Sequence, residues 1–247
     1  MNNDIKKLCE KFYSIQKLQW IKTKRNGDTG VGYTFEELLH KPEENFPIPD
    51  FNSIEIKTRR KFSRKNIHLF NATPDGDYLF PIKRILNILG YPDRLNKEYR
   101  VFNMSFNAST FTKIGYYKKA KIIVDRKKQK INLVAYDSKN NNLNVYISWS
   151  FTLIKERLNS KIKTLALIIA DTKIINKEEY FYYNKINFYK IKSFETFISL
   201  IENGTITITF KIGVFRSGQR KGQIHDRGTD FSLSHKDINK LYNLIQI

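Results

Sequence analysis

The sequence predicts a mixed α/β protein, a twisted mixed sheet flanked by helices, on three observations. Ile5, Leu8, Phe12 and Ile15 recur at helical spacing. Runs of alternating or continuous apolar residues of strand length dominate from residue 119 onward. Short helical stretches fall between those runs, so the two kinds of element interleave. The 247 residues, 40% hydrophobic and 14% aromatic, can bury a core as one large domain or two joined lobes. That composition argues against a disordered tail.

After the opening helix, residues 22–32 read as a loop holding Gly27, Gly30 and Gly32 among basic residues. Thr34 then starts a short helix through a Thr-x-x-Glu capping box closed by Glu37, which turns Glu36 to another face. A strand follows at 53–58. Pro49, lacking an N–H, stands at its entrance. Arg59, Arg60, Lys61, Arg64 and Lys65 form a basic cluster, and a helix at 81–89 ends at Gly90. The rest of 59–118 carries little signal. Residues 121–125, 131–136 and 143–149 read as an antiparallel meander with a polar turn at 137–142. A helix at 151–161 leads to a strand at 164–170 that is apolar enough to be buried on both faces. An aromatic strand at 179–190, a helix at 194–202, a strand at 205–214, a basic loop at 215–228 and a closing helix at 236–245 follow. No repeat and no Pro/Gly/Ser-rich linker divides the chain.

Charge narrows the function. Lys+Arg number 44 against 24 Asp+Glu, a formal +20, and such a field attracts polyanions. An AT-rich genome accounts for Lys over Arg but not for the scarcity of acids, so nucleic acid is the expected partner. Cys9 is the only cysteine, which excludes an internal disulfide and a Cys-based zinc site; it reads as a core filler. His40, His68, His225 and His235 lack ligand spacing. A polar N-terminus and the lack of a bilayer-spanning apolar run point to the cytoplasm.

The chemistry concentrates at Asp50 and Glu55-Ile56-Lys57. Alternation along a strand points Glu55 and Lys57 the same way and Ile56 into the core. Asp50 sits at the strand's mouth. Two carboxylates are the hard ligands Mg²⁺ prefers, with waters and a substrate phosphate completing its shell. Lys57 can hold an attacking water or neutralise charge on the phosphate. Upstream, the Gly-rich loop with Lys24, Arg25 and Thr29 precedes a helix start, where exposed N–H groups favour a backbone phosphate. Glu36 is a third acid, suited to orienting a bound water.

A second centre runs from Arg216 through Arg220, Lys221, His225, Asp226 and Arg227. Arg can fork onto guanine, Lys and His can donate to it, Asp can accept from cytosine N4, and Gln219 and Gln223 suit adenine. The competing reading is phosphate binding without base readout. A His-Asp hydrolase lacks a Ser or Cys nucleophile nearby in sequence. Tyr116, Tyr117 and residues 180–183 read as core aromatics on strands rather than stacking platforms.

The string Lys24-Arg25-x-Gly27-x-Thr29-Gly30-x-Gly32-x-Thr34-Phe35-Glu36, then Pro49-Asp50-Phe51-x-x-Ile54-Glu55-Ile56-Lys57-Thr58, resembles the MvaI/BcnI family of type II restriction endonucleases. The acids and lysine follow that superfamily's PD-(D/E)xK pattern. The first block is similar also to the mismatch-repair nicking endonuclease MutH. The tail, with Ser217-Gly218-x-x-Lys221-Gly222 and His225-Asp226-x-Gly228-Thr229, resembles the restriction enzymes more narrowly. The resemblance implies two lobes around a DNA cleft: a catalytic lobe at 1–150 and a DNA-recognition lobe at 151–247. It makes Asp50 and Glu55 ligands of Mg²⁺, Lys57 the catalytic lysine and Glu36 a supporting acid. DNA contacts are expected from Lys24, Arg25 and Thr29, and from Arg216, Ser217, Arg220, Lys221, His225, Asp226, Arg227 and Thr229. It implies a monomer that cuts double-stranded DNA at a short CC/GG-flanked site with an ambiguous central pair (CCNGG-like), leaving a 5′-phosphate. A cognate DNA methyltransferase would be its functional partner. The alternatives are a MutH-like repair nickase and a non-catalytic DNA-binding protein. Residues 59–116 depart most from the family.

Overall fold

A computed structural model describes residues 3–39, 51–76 and 79–247. In chain order the elements are helix α1 (Asn3–Lys17), strand β1 (Ile21–Lys22), α2 (Gly30–Leu38), β2 (Glu55–Arg60), β3 (Ile67–Asn71), α3 (Leu79–Ile88), β4 (Tyr91–Pro92), β5 (Arg100–Phe106), β6 (Thr112–Ile114) and β7 (Lys118–Asp125). There follow β8 (Lys130–Asp137), β9 (Ile147–Ser150), α4 (Phe151–Lys161), β10 (Thr164–Ile175), β11 (Glu178–Ile191), α5 (Phe194–Glu202) and β12 (Ile206–Val214). The chain closes with β13 (Ile224–Asp226), β14 (Asp230–Leu233), a 3₁₀ turn (His235–Asp237), α6 (Ile238–Leu241) and β15 (Tyr242–Ile245).

Two compact units form, each from separate stretches of chain. One gathers Met1–Lys65, Leu158–Lys192 and Asn239–Ile247; the other gathers Asn66–Arg157 and Ser193–Ile238. A single boundary at 150/151 therefore does not describe them. The reason lies in strand pairing: β2 finds its neighbour in β10, more than a hundred residues downstream, and β11 takes β15 from the far end.

The first unit is built on a sheet of order β1-β11-β10-β2 with β15 also on β11. β10 runs parallel to β2, with Leu165 opposite Glu55, and antiparallel to β11. Its residues Leu165, Ala166, Leu167 and Ile168 are all buried, as a strand covered on both faces requires. α1 lays Leu8 and Phe12 against Phe35, Ile54 and Ile56, which fixes β2's inward face. Cys9 is buried in the same cluster, as a filler.

Two local expectations fail in this unit. The capping box does not form: α2 begins at Gly30, and Thr29 caps it without a side-chain bond. Thr34 lies within the helix, buried, its hydroxyl accepting from the Lys24 N–H at 2.9 Å. The early start depends on glycine, since a Cβ at Gly30 would lie 2.2 Å from the Arg25 carbonyl oxygen. The closing helix also stops short, at Leu241. Residues 242–245 pair instead with β11, whose open edge offers backbone hydrogen bonds that outweigh local helical spacing.

The second unit holds a sheet of order β3-β14-β12-β5-β4, with β13 beside β12, and the meander β6-β7-β8-β9. Its core is aromatic: Phe70 stacks on Phe231 at 5.0 Å, and Trp149 meets both Phe231 and Phe210. The buried Trp149 indole donates to the Ala72 carbonyl at 2.9 Å, so its one polar atom is satisfied. Helices α3, α4 and α5 fall where the sequence places them. Tyr116 and Tyr117 do not: they are 97% and 72% exposed, in the turn between β6 and β7 rather than in a strand's core.

Candidate active site

The turn that feeds β2 is fixed first. Phe51 and Ile54 exchange both backbone hydrogen bonds at 2.8 Å around Asn52, whose φ is +51°. Asn52 and Ser53 donate to the Asp4 carboxylate at 3.0 and 2.7 Å, tying the turn to α1 and holding that acid below its usual range. Glu55 then enters β2 with no exposed surface. The Lys57 ammonium stands 2.5 Å from its Oε1, so the two side chains meet on one face as strand alternation requires.

A second ammonium converges there. Lys161 Nζ is 3.9 Å from the same Glu55 oxygen. It ends α4, just ahead of β10, and Leu165 of β10 lies opposite Glu55, so the α4–β10 connection reaches the start of β2. Sequence reasoning missed Lys161. A lysine closing a helix before a buried strand was a visible signal, but such lysines usually answer only the helix dipole. Tyr242 of β15 lies close as well: burial, with the charge of Glu55 added, pushes its phenol far above the usual range.

Glu36 and Glu37 part as expected, though by a different device. Glu37 faces outward, 3.6 Å from the Lys24 ammonium. Glu36 shares a cavity of about 300 Å³ with Thr58, Gly32 and Thr29. Thr58 alternates to the Ile56 face of β2, so Glu36 is drawn to the side opposite the Glu55–Lys57 contact. The Gly-rich loop is clamped by Arg60, which forks onto Glu179 with two 2.6 Å bonds and donates to the carbonyls of Gly27 and Asp28. Arg25 lies 3.7 Å over the Tyr33 ring, while Lys24 and Thr29 are exposed at the loop surface.

In the second unit the basic loop is a hairpin between β12 and β13, closed by Phe215 and Gly222. The His225 imidazole stacks on Phe215 at 4.2 Å and 9° between planes, and Arg220 covers Phe215 at 4.1 Å. Arg216 reaches both oxygens of buried Asp93 at 3.0 and 3.1 Å. Asp93 had no legible sequence signal, and Phe215 marked only the start of the basic loop, not a stacking partner for His225. Arg216, His225, Arg227, Asn103 and Lys211 line a cavity of about 570 Å³. Asp226 accepts from the Gly228 N–H at 2.9 Å, and burial pushes its carboxyl above the usual range. Successive strand residues face opposite ways, so Asp226 does not orient His225 as a hydrolase pair would. Ser217, Lys221 and Arg227 are exposed. Thr229, expected at the DNA, is buried instead, its carbonyl accepting from Ala72.

Among the described residues, no three His, Cys, Asp or Glu side chains gather for a metal. Asp50 and Pro49 lie outside the described residues. Mg²⁺ needs only one or two carboxylates plus water and phosphate oxygens, and the buried Glu55 carboxylate is a hard donor of that kind.

A buried carboxylate between two ammoniums, on a strand paired in parallel within a mixed sheet, belongs to a known architecture. The chain matches the structure of restriction endonuclease MvaI with its cognate DNA substrate at a TM-score of 0.90 and 30% identity, over 99% of this chain and 98% of that one. It matches MvaI in the absence of DNA at a TM-score of 0.63 and 26% identity, over the same shares. No curated protein sequence matches. The class is that of DNA-cleaving endonucleases with a restriction-endonuclease fold. The profile of the MvaI/BcnI restriction endonuclease family covers residues 9–242, and the chain belongs to that family.

Proposed function

We propose that the protein is a Mg²⁺-dependent type II restriction endonuclease that cuts double-stranded DNA at a short CC/GG-flanked site with an ambiguous central pair. The observation that carries the reading is the fully buried Glu55 carboxylate held against Lys57 and Lys161. Burying one carboxylate with two cations leaves a positive local balance, which suits a phosphodiester.

In this reading the unit containing β2 does the chemistry and the unit containing β13 reads the site. Glu55 and Asp50 would hold the metal, which when bound neutralises charge developing on the phosphate and acidifies a bound water. Lys57 orients the attacking water in line with the scissile phosphorus. Lys161 donates to a phosphate oxygen on the same side. Glu36, across the strand, supports as an outer acid. The attacking water gives its proton to solvent as the bond to the 3′ oxygen breaks, and that oxygen takes one from solvent, giving a 3′-hydroxyl and a 5′-phosphate. Lys24, Arg25 and Thr29 contact backbone phosphates; Arg216, Ser217, Arg220 and Lys221 do so in the basic hairpin. His225 and Arg227, which line one cavity, face base edges and donate to guanine; Asp226, turned to the other side of β13, holds the Gly228 turn behind them rather than a base. The enzyme acts as a monomer in the cytoplasm, beside a methyltransferase that protects the host's copies of the site.

Digestion of a mixed-sequence plasmid in Mg²⁺ and in EDTA tests this, with the fragment ends sequenced. Discrete fragments sharing one short CC/GG-flanked motif and a 5′-phosphate are expected in Mg²⁺ alone. Supercoiled DNA untouched under both conditions would reduce the protein to a binder, and nicking only with an added partner would make it a repair enzyme.

A further inference from the structure

The β6–β7 hairpin carries a surface that neither the active site nor the basic loop uses. No acidic residue occurs between Glu98 and Asp125, while Lys113, Lys118, Lys119 and Lys121 fall in that interval. Ala120 and Ile122 of β7 face the core, so Lys119 and Lys121 share the opposite, outward face. Lys113 of β6 is paired directly opposite Lys119. Like charges facing each other across a ladder destabilise a sheet, so the fold gains nothing from this pair alone.

Aromatic rings frame the lysines. Phe111 has the Lys119 and Lys121 ammoniums 5.1 and 4.9 Å from its centroid, and Tyr136, opposite Lys119, meets Phe111 edge-on at 5.8 Å. At the tip, Gly115 at φ +59° turns the chain and presents Tyr116 and Tyr117, their rings 6.3 Å apart and almost wholly in solvent. Lys118 is committed elsewhere, 2.5 Å from the Ile88 carbonyl. Lys119 donates to the Asn140 amide oxygen at 2.7 Å, a neutral partner that leaves its charge uncompensated; Asp137, lining the same cavity, already accepts from the backbone N–H groups of Lys139 and Asn141 and from the Asn141 amide. Three cations without an acid among the described residues, beside two projecting rings, match a phosphate backbone and the sugar and base edges next to it.

We propose that this hairpin is a second contact surface for duplex DNA: Lys113, Lys119 and Lys121 bind phosphates, and Tyr116 and Tyr117 lie against one groove. The proposal rests on the reading of duplex DNA as substrate and adds a site outside the basic hairpin.

The test uses the full-length protein and a long duplex carrying one cleaved site, in Ca²⁺. Affinity is measured across salt concentrations by fluorescence anisotropy, and the protected region by hydroxyl-radical footprinting. A triple Lys113→Ser, Lys119→Ser, Lys121→Ser variant should flatten the slope of log Kd against log [salt] by about 2 to 3, at ~0.9 per phosphate lost, and shorten the footprint. A Tyr116→Ala, Tyr117→Ala variant should bind about tenfold more weakly at an unchanged slope. Both should melt at or above the wild-type temperature, which separates lost contact from lost fold. An unchanged slope, footprint and affinity would overturn the proposal, including in favour of a protein partner there. Wild-type protein that fails to cut in Mg²⁺, yet shows these hairpin effects, would sink the nuclease reading and leave this one standing.

Discussion

Two basic stretches look alike in sequence and behave differently in the fold. In the 59–65 run, Arg60 is forked onto Glu179, Lys61 reaches Asp171 at 3.3 Å, and Lys65 pairs with Asp28. In the β6–β7 hairpin, Lys113 faces Lys119 and the next strand brings Tyr136 and Val134. A count of lysines cannot separate these cases, because what differs is whether the fold brings an acid within reach of each cation. The first stretch spends its charge holding the molecule together; the second keeps it for a partner.

The sharpest way to break that contrast is at the two lysines proposed to act on the phosphate. Lys57→Ala should cost roughly a thousandfold in cleavage rate while leaving Ca²⁺-supported DNA binding intact, the scale of losing one preorganised donor at a reacting phosphate. Lys161→Met should cost about tenfold and Lys161→Arg much less, in single-turnover assays. Retained cutting by the Lys57 variant would dissolve the site.

Next in size is Arg60→Ala. It strands the Glu179 carboxylate and two loop carbonyls, and should lower stability by about 2 kcal/mol in urea titrations. Lys113→Ser should leave stability unchanged or raise it. Equal losses at both positions would erase the distinction between structural and offered charge.

The smallest effect concerns Asp226. Burial raises its carboxyl, so the folded state binds that proton more tightly than the unfolded chain. Stability from this group is then greatest below the unfolded value and declines as pH rises through the folded one. Asp226→Asn should remove the decline, read as a flatter dependence of urea stability on pH.

Where spacing alone decides, the sequence was a sufficient guide. The helical repeat of Ile5, Leu8, Phe12 and Ile15 gave α1, the apolar run at 164–170 gave the central β10, and alternation put Glu55 beside Lys57. What depends on distant pairing was out of reach. Lys161 and Tyr242 join Glu55 only because β10 and β15 enter the same sheet, and Asp93 finds Arg216 across 123 residues. Thr34 misled for a related reason: its hydroxyl had a better donor in Lys24 than its own helix offered. The tyrosines at 116 and 117 were misplaced because a hairpin tip and a strand carry the same composition.

The late strand β15 has a consequence for how the molecule comes into being. It covers an edge of β11 and seats Tyr242 beside Glu55, and it is translated after every other part of that sheet. A nascent chain emerging from the ribosome therefore cannot close this sheet around Glu55 until residues 242–245 are made, however early the second unit condenses. On the proposed reading of Glu55, synthesis itself would delay the arming of the nuclease.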